Sequence, residues 1–478
     1  MIDTKENIID TQYVRKKFYV SEMNHDYFLS WFIRFKYQNM KNVVNPSYNE
    51  IFIANRGENQ TYRMMSIGMY IGFRVYASKY QIYIDILRRE EIIQKLEFFP
   101  EMKEIKSYQE ILTFCSSVQK KMKEWFPKEL HDLPFIGGFQ NRKLEETVKE
   151  LGVFYLPEIA VYGCEMEMNL FSIYDKYDIS YGEVLFKGKR EEVLQMKFSP
   201  EKETYMTKLR KGIEAFAENG IDKMVISKKC VITTKEDIDI WEISNYLLKN
   251  YYQQYFYVFE TDKDKQWLGV SPEVLITDDE HNFISKPLAG TYEKGEDEQE
   301  NQEIKERLLK DPKETKEHNV VVELMLEDIK NSDFKKVELI DSREIVETPY
   351  VFHLKSQIQV EKTRHLNVFD LLQHIYPPAT IWGIPREKCG EQIYEIEDFD
   401  REYFTGFYGI FNLEDFAEFA LLIRSASVKN KEISIYAGGG IIELSDPIYE
   451  WNETNAKMNP FINYFGKSNM PRKDEVRK

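Results

Sequence analysis

Arg424-Ser-Ala, Ile433-Ser-Ile-Tyr436, Ala437-Gly-Gly-Gly-Ile441, Ser445-Asp-Pro447 and Glu450-Trp-Asn-Glu453-Thr-Asn-Ala-Lys457 follow one another in one stretch of the sequence. An arginine can grip a carboxylate in a two-pronged fork. Ala437–Ile441 reads as a glycine turn after a strand, with backbone N–H groups able to cradle an anion. Glu450 and Glu453 are spaced to share one face of a helix, and paired carboxylates hold hard divalent cations. Together these residues describe a site for a small molecule with more than one carboxylate, assisted by Mg²⁺.

A second acidic pair, Glu314 and Glu317, has the same spacing. Either pair alone fits a solvated helix face; two pairs, each among unusual residues, favour metal. His318 is read as a hydrogen-bonding helix histidine rather than a ligand. Lys457, four residues after Glu453, also fits an ordinary ion pair. Leu268-Gly-Val-Ser-Pro-Glu273 sets a carboxylate just past a bend at a strand end, a pattern that turn chemistry alone also produces. Lys223 opens an otherwise apolar strand, where a lysine commonly protects a sheet edge.

The chain has 478 residues, 42% of them apolar, enough for a substantial core. A net charge of −16 argues against nucleic acid or an anionic membrane as main partner. Cys115, Cys164, Cys230 and Cys389 are scattered, as reduced cytosolic thiols would be, which fits a cytoplasmic protein. Met1-Ile-Asp-Thr-Lys-Glu-Asn7 lacks the pattern of a signal peptide, and no apolar run approaches a membrane span. Strands are expected at Ile51–Ala54, Tyr70–Tyr76, Tyr80–Ile84, Pro134–Gln140, Lys223–Ser227 and Tyr255–Phe259. Helices are expected at Lys103–Phe126, Pro200–Asn219 and Trp241–Lys249, and from Glu303, restarting after Pro312, to Ile329. Gly290–Glu300 reads as a polar loop. No repeat or flexible linker divides the chain, so one large α+β unit is expected. Its residues 1–160 form a strand-rich part of the same fold, and 161–470 the catalytic region.

The order of these motifs resembles the chorismate-utilising enzymes, which include anthranilate, aminodeoxychorismate, isochorismate and salicylate synthases. The resemblance rests on Asp222-Lys-Met-Val-Ile-Ser227, Leu268–Glu273, Pro287-Leu-Ala-Gly-Thr291, Lys313-Glu-Thr-Lys-Glu-His318, Phe352-His-Leu354, Gly383-Ile-Pro-Arg386, Phe399-Asp-Arg401 and the opening stretch. It implies an αββα sandwich of two large antiparallel sheets flanked by helices. It implies Mg²⁺ held by Glu317 and Glu453, with Glu314 and Glu450 supporting through water. It implies Arg424 on the enolpyruvyl carboxylate of chorismate, with Thr291, His353, Thr380, Phe404, Gly438, Gly440 and Lys457 around the rest. A monomer needing no redox cofactor is the corresponding expectation.

Within that family, branches that add ammonia carry Gln where this chain has Lys223; those that add water carry Lys. Lys223 then becomes the general base and Glu273 the general acid that protonates the departing C4 hydroxyl. Arg424-Ser-Ala, Tyr436-Ala-Gly and Ser445-Asp-Pro resemble isochorismate synthases, and Phe404 stands where salicylate synthases tend to carry Tyr. Thr380 and Gly383-Ile-Pro resemble the pyruvate-eliminating branches, salicylate synthases among them, whereas isochorismate synthases usually carry Ala at Thr380. The residues favour isochorismate synthase, an isomerase whose product feeds menaquinone, siderophore and salicylate formation. Trp382, Lys286 and Gly439 depart from the family pattern, and Trp382 is expected to narrow the pocket.

Overall fold

The computed structural model describes residues 13–466, apart from 21–23, 42, 44–47, 56–60, 90, 99–103, 106, 181–183, 189, 215, 252–253, 263–264 and 335. The Met1–Asn7 stretch, Lys103 and residues 467–470 of the expected catalytic region lie outside these.

Every strand pairing is antiparallel, and the pairings trace two sheets. The first runs from Val193–Ser199 through Lys223–Thr234, Glu432–Ile441, Ser425–Lys429, Lys265–Ser271 and Tyr255–Asp262 to Asn49–Asn55. It continues through one half each of Thr61–Ala77 and Lys149–Cys164 to Glu167–Ser172 and Val14–Tyr19. The other halves of those two long strands belong to the second sheet. There they are flanked by Ile82–Arg88 and Glu91–Phe98 on one side and by Phe135–Phe139 on the other. From Phe135–Phe139 the second sheet goes on through Phe407–Phe411, Ala417–Leu421, Val274–Asp278, Asn282–Lys286 and Val351–Glu361. Leu288–Glu293 and Val337–Glu347 flank Val351–Glu361.

The long strands cross between sheets where Gly68 has a φ of 74° and the register slips between Met69 and Ile71, opposite Pro157. Proline cannot donate to the ladder and glycine tolerates positive φ, so this is where the strands can bend. Strands from the N-terminal part therefore pair inside both sheets.

Side chains alternate as a strand requires. Tyr255, Tyr257 and Phe259 point between the sheets, while Phe256 and Val258 point to the covering helices. His25–Asn39, Ile240–Asn250 and Pro447–Phe465 cover the first sheet through Phe28, Phe32, Leu247 and Phe461. Tyr108–Trp125, Val368–Ile375 and Pro312–Lys330 cover the second through Leu112, Leu372 and Met325. The order helix, sheet, sheet, helix is the αββα sandwich.

Three local expectations fail. Ala437–Ile441 is no turn: Glu432–Ile441 is a continuous strand, with Gly438, Gly439 and Gly440 paired to Ser227, Ile226 and Val225. Gly290–Glu293 belongs to the strand Leu288–Glu293; Gly290, with a φ of 83°, forms a bulge in it. The helix after it starts at Glu298 on an Asp297 cap, five residues earlier than expected (303 − 298).

Phe154 is fully buried and packs against Phe73, Phe369, Phe407, Phe411 and Phe419. Phe154→Ala should lower the unfolding free energy by about 3–5 kcal/mol in denaturant titration, the usual range for emptying such a site.

Candidate active site

Two helices with matching starts deliver the acidic pairs. Asp311 and Asp446 cap the helices Pro312–Lys330 and Pro447–Phe465, each with proline in the first turn. Both caps place glutamates in the opening turns, where the N-terminal end of the helix dipole favours negative charge. Glu314, Glu317 and Glu450 are buried. Burial and the neighbouring Glu317 push Glu314 up to about 7; burial and Glu453 push Glu450 up to about 8. Burial would also raise Glu317, but Lys223 against it brings that carboxyl below its ordinary value.

Three lysines answer these charges. Lys223 Nζ lies 2.9 Å from Glu317, and Lys457 lies 2.6 Å from Glu453 while also donating to the Gly438 carbonyl at 3.0 Å. Lys313, which sequence reasoning missed, bridges Glu314 and Glu450 at 3.2 and 3.3 Å. Its signal was available: it precedes Glu314 on the same first turn.

The glycine strand leaves room for these contacts. Lys223, Val225, Gly438 and Gly440 share the cavity-facing side of the ladder, and Gly439 faces the helix. A Cβ on Gly440 would stand 2.2 Å from Glu317 Oε1 and 2.9 Å from Lys223 Cε; one on Gly439 would stand 3.2 Å from Glu450.

Glu273, Thr291, Glu317, His353, Thr380, Phe404, Arg424, Gly438, Gly440, Glu453 and Lys457 line one cavity. Lys223 stands behind Glu317 and Gly440, while Glu314 and Glu450 sit behind the lining and are tied to it. The Thr291 N–H donates to Glu314 at 2.7 Å. His353 links Thr291 Oγ1 and Arg424 Nη2, each at 2.9 Å. Guanidinium only donates, so His353 Nε2 accepts and Nδ1 carries the proton toward Thr291. That assigns a neutral imidazole, in keeping with burial and Arg424, which hold His353 well below its usual range. Arg424 has left-handed backbone (φ 49°), and burial lowers its guanidinium to about 10.

Val225, Ala289, Gly290, Ile381, Thr405 and Ile423 also line the cavity. Of these, Val225 was readable as the residue two beyond Lys223 on the same strand face. Trp382 does not line it: its ring packs on Tyr394 and its Nε1 donates to the Arg386 carbonyl. The expectation that Trp382 narrows the pocket is corrected, because the bend before Gly383–Ile384 turns that ring toward Leu209, Cys389 and Ile393 in the helix layer. Lys286, paired with Val274, lies outside the lining as well. His318 bonds the Ala289 carbonyl and Ser356, as a structural histidine does.

As placed, no three acidic, histidine or cysteine side chains among the described residues form a group that could hold a metal ion. The lysine ammoniums occupy carboxylate oxygens instead. In chemistry the four carboxylates suit a hard divalent cation: they offer oxygen alone, repel one another, and already gather round the Lys313 cation.

The sequence pattern described as chorismate binding enzyme matches residues 179–463, more than half of the chain. The chain belongs to the chorismate binding enzyme family. Isochorismate synthase MenF of Bacillus subtilis (strain 168) is 31% identical over 282 residues, 59% of each chain. The match thus spans less than two thirds of that relative. Isochorismate synthase EntC of Escherichia coli (strain K12) is 29% identical over 57% of this chain and 70% of its own. Anthranilate synthase component 1 of Thermococcus kodakarensis is 29% identical over 55% of this chain and 60% of its own. Among solved structures, the menaquinone-specific isochorismate synthase MenF of Escherichia coli matches with a TM-score of 0.63 at 17% identity, covering 91% of this chain and all of that one. Anthranilate synthase component I from Streptococcus pneumoniae matches with a TM-score of 0.63 at 18% identity, covering 83% and 91%. These structural likenesses establish the family's fold. Among the described residues no helix is long and apolar enough to cross a membrane.

Burial raises Glu273 to about 7. A group with a raised folded pKa binds its proton more tightly than the unfolded chain does, so its contribution to stability fades as pH rises through 7. Glu273→Gln should flatten that part of a thermal-midpoint profile between pH 5 and 8. Gly440→Ala should cut turnover about a hundredfold by displacing Glu317 and Lys223, read by steady-state kinetics.

Proposed function

We propose that the chain is an Mg²⁺-dependent isochorismate synthase, converting chorismate to isochorismate by adding water at C2 and expelling the C4 hydroxyl. The observation that carries this reading is a buried lysine, Lys223, beside a cavity whose lining holds a carboxyl raised to about 7, Glu273. Ammonia attacks unaided, whereas water needs a base, and relatives named isochorismate synthases match at 31% and 29% identity.

Lys223, as the free amine, takes a proton from water as oxygen attacks C2. Glu273, neutral below about pH 7, gives its proton to the hydroxyl leaving C4, and the ring double bonds move between them. Water enters and water leaves, so the net change is an isomerisation. Arg424 offers a fork for one substrate carboxylate, and Thr291, positioned by His353, a hydroxyl for another polar group. Glu314, Glu317, Glu450 and Glu453 would hold Mg²⁺, and the ion would supply a positive charge to anchor and polarise the ring carboxylate.

One observation favours a second reading, salicylate synthase. Thr380 Oγ1 is buried at the cavity beside Glu273, a hydroxyl placed for a further step that expels pyruvate.

Incubation of the purified chain with chorismate and Mg²⁺, followed by product separation, tests both. Isochorismate alone is expected, lost with EDTA and restored by excess Mg²⁺. Salicylate with equal pyruvate would transfer the chain to the second reading, and Thr380→Ala should then suppress the pyruvate. Lys223→Gln should lower kcat by about 10²–10⁴-fold while substrate binding persists. Amine products formed with ammonia would overturn the role of Lys223.

A further inference from the structure

The Lys223–Thr234 strand has a gap along one edge. Lys223 and Met224 pair with Ile384 and Gly383, and pairing with Val193–Ser199 begins only at Lys229. Between them, the Val225 N–H still donates to the Trp382 carbonyl at 2.8 Å, and no strand among the described residues lies along Ile226–Lys228 on that side. Two buried side chains fill the place. Arg401 donates to the Val225 carbonyl at 2.8 Å, and Glu397 accepts the Ser227 N–H at 2.7 Å. The pair is closed by Arg401 Nε and Nη2 on Glu397 at 2.8 and 2.6 Å, with both side chains 1% exposed. Arg401 Nη1 reaches the Ile381 carbonyl at 2.9 Å and Thr405 Oγ1 at 3.5 Å. Every guanidinium N–H is engaged. Val225, Ile381 and Thr405 all line the cavity, although Arg401 and Glu397 do not.

We propose that Glu397 and Arg401 are positioning residues: their ion pair substitutes for the missing strand segment and fixes the Lys223 strand against the Thr380–Ile381 wall of the cavity. A strand neighbour would hold only the strand's own backbone. The guanidinium fork also holds two other cavity walls from one point, which a lysine at 401 cannot do. The kinetic part of the proposal rests on the function proposed above.

The test compares wild type, Glu397→Met/Arg401→Met and Arg401→Lys. Replacing both members of a buried ion pair by apolar residues commonly preserves stability, whereas removing one strands a charge. The double variant is therefore expected to keep its thermal midpoint. Amide hydrogen exchange in the ligand-free protein should quicken about tenfold over residues 223–227 and 380–382 and stay unchanged elsewhere. With chorismate and Mg²⁺, kcat should fall about a hundredfold and KM stay within about threefold, because Arg424 is untouched. Arg401→Lys should show the same pattern in milder form, and it carries the test if the double variant does not fold. Wild-type exchange and wild-type kcat in a folded variant would overturn the proposal. A wild-type protein without chorismate turnover would sink the functional reading alone, and the exchange measurement would still decide the positioning.

Discussion

The close pairing of Lys223–Thr234 with Glu432–Ile441 is the constraint on which the site depends. Three successive glycines let this ladder run with no side chains on its second strand just where Lys223 and Glu317 meet. On the cavity side, the missing Cβ of Gly440 leaves space for the Lys223–Glu317 contact. On the other side, the missing Cβ of Gly439 lets the helix bearing Glu450 lie close. One bare stretch of strand thus admits a lysine from its partner and acidic groups from two helices.

Charge balance follows from that crowding. Four carboxylates gathered near one point repel one another, which is why burial and neighbours lift Glu314 and Glu450 while Lys223 holds Glu317 down. Lys223, Lys313 and Lys457 offset the charge. Arg424 makes no ion pair with the acidic cluster, although it feels the charge of Glu453; it lines the cavity and its guanidinium bonds His353. The result is a cavity with an acidic, lysine-neutralised end and an arginine outside those ion pairs, a division suited to a ligand with several anionic groups and a hard cation.

Much of this was legible along the chain because it is local. Asp311-Pro312 and Asp446-Pro447 are helix starts by their own chemistry, and i,i+3 spacing puts each glutamate pair on one face whatever surrounds it. Ser271-Pro272-Glu273 ends its strand as read. Other features were opaque because they depend on partners distant in sequence. Gly438–Gly440 look like a turn in isolation, since glycine is the usual turn residue; only the neighbouring strand keeps them extended. Gly290 reads as loop for the same reason, and becomes a bulge once Val351–Glu361 lies beside it. Lys313 could be seen next to Glu314, but its bridge to Glu450 spans two helices.

By itself, the sequence determined most of the elements, the caps at Asp311 and Asp446, the residue types available for chemistry and the family. Tertiary structure decided which side of each strand faces the cavity, which carboxylate meets which lysine, and that Trp382 turns away from the pocket. The physical reason is range. Capping, periodicity and turn preference act over a few residues, whereas a cavity is made by strands from distant parts of the chain whose register places their side chains together.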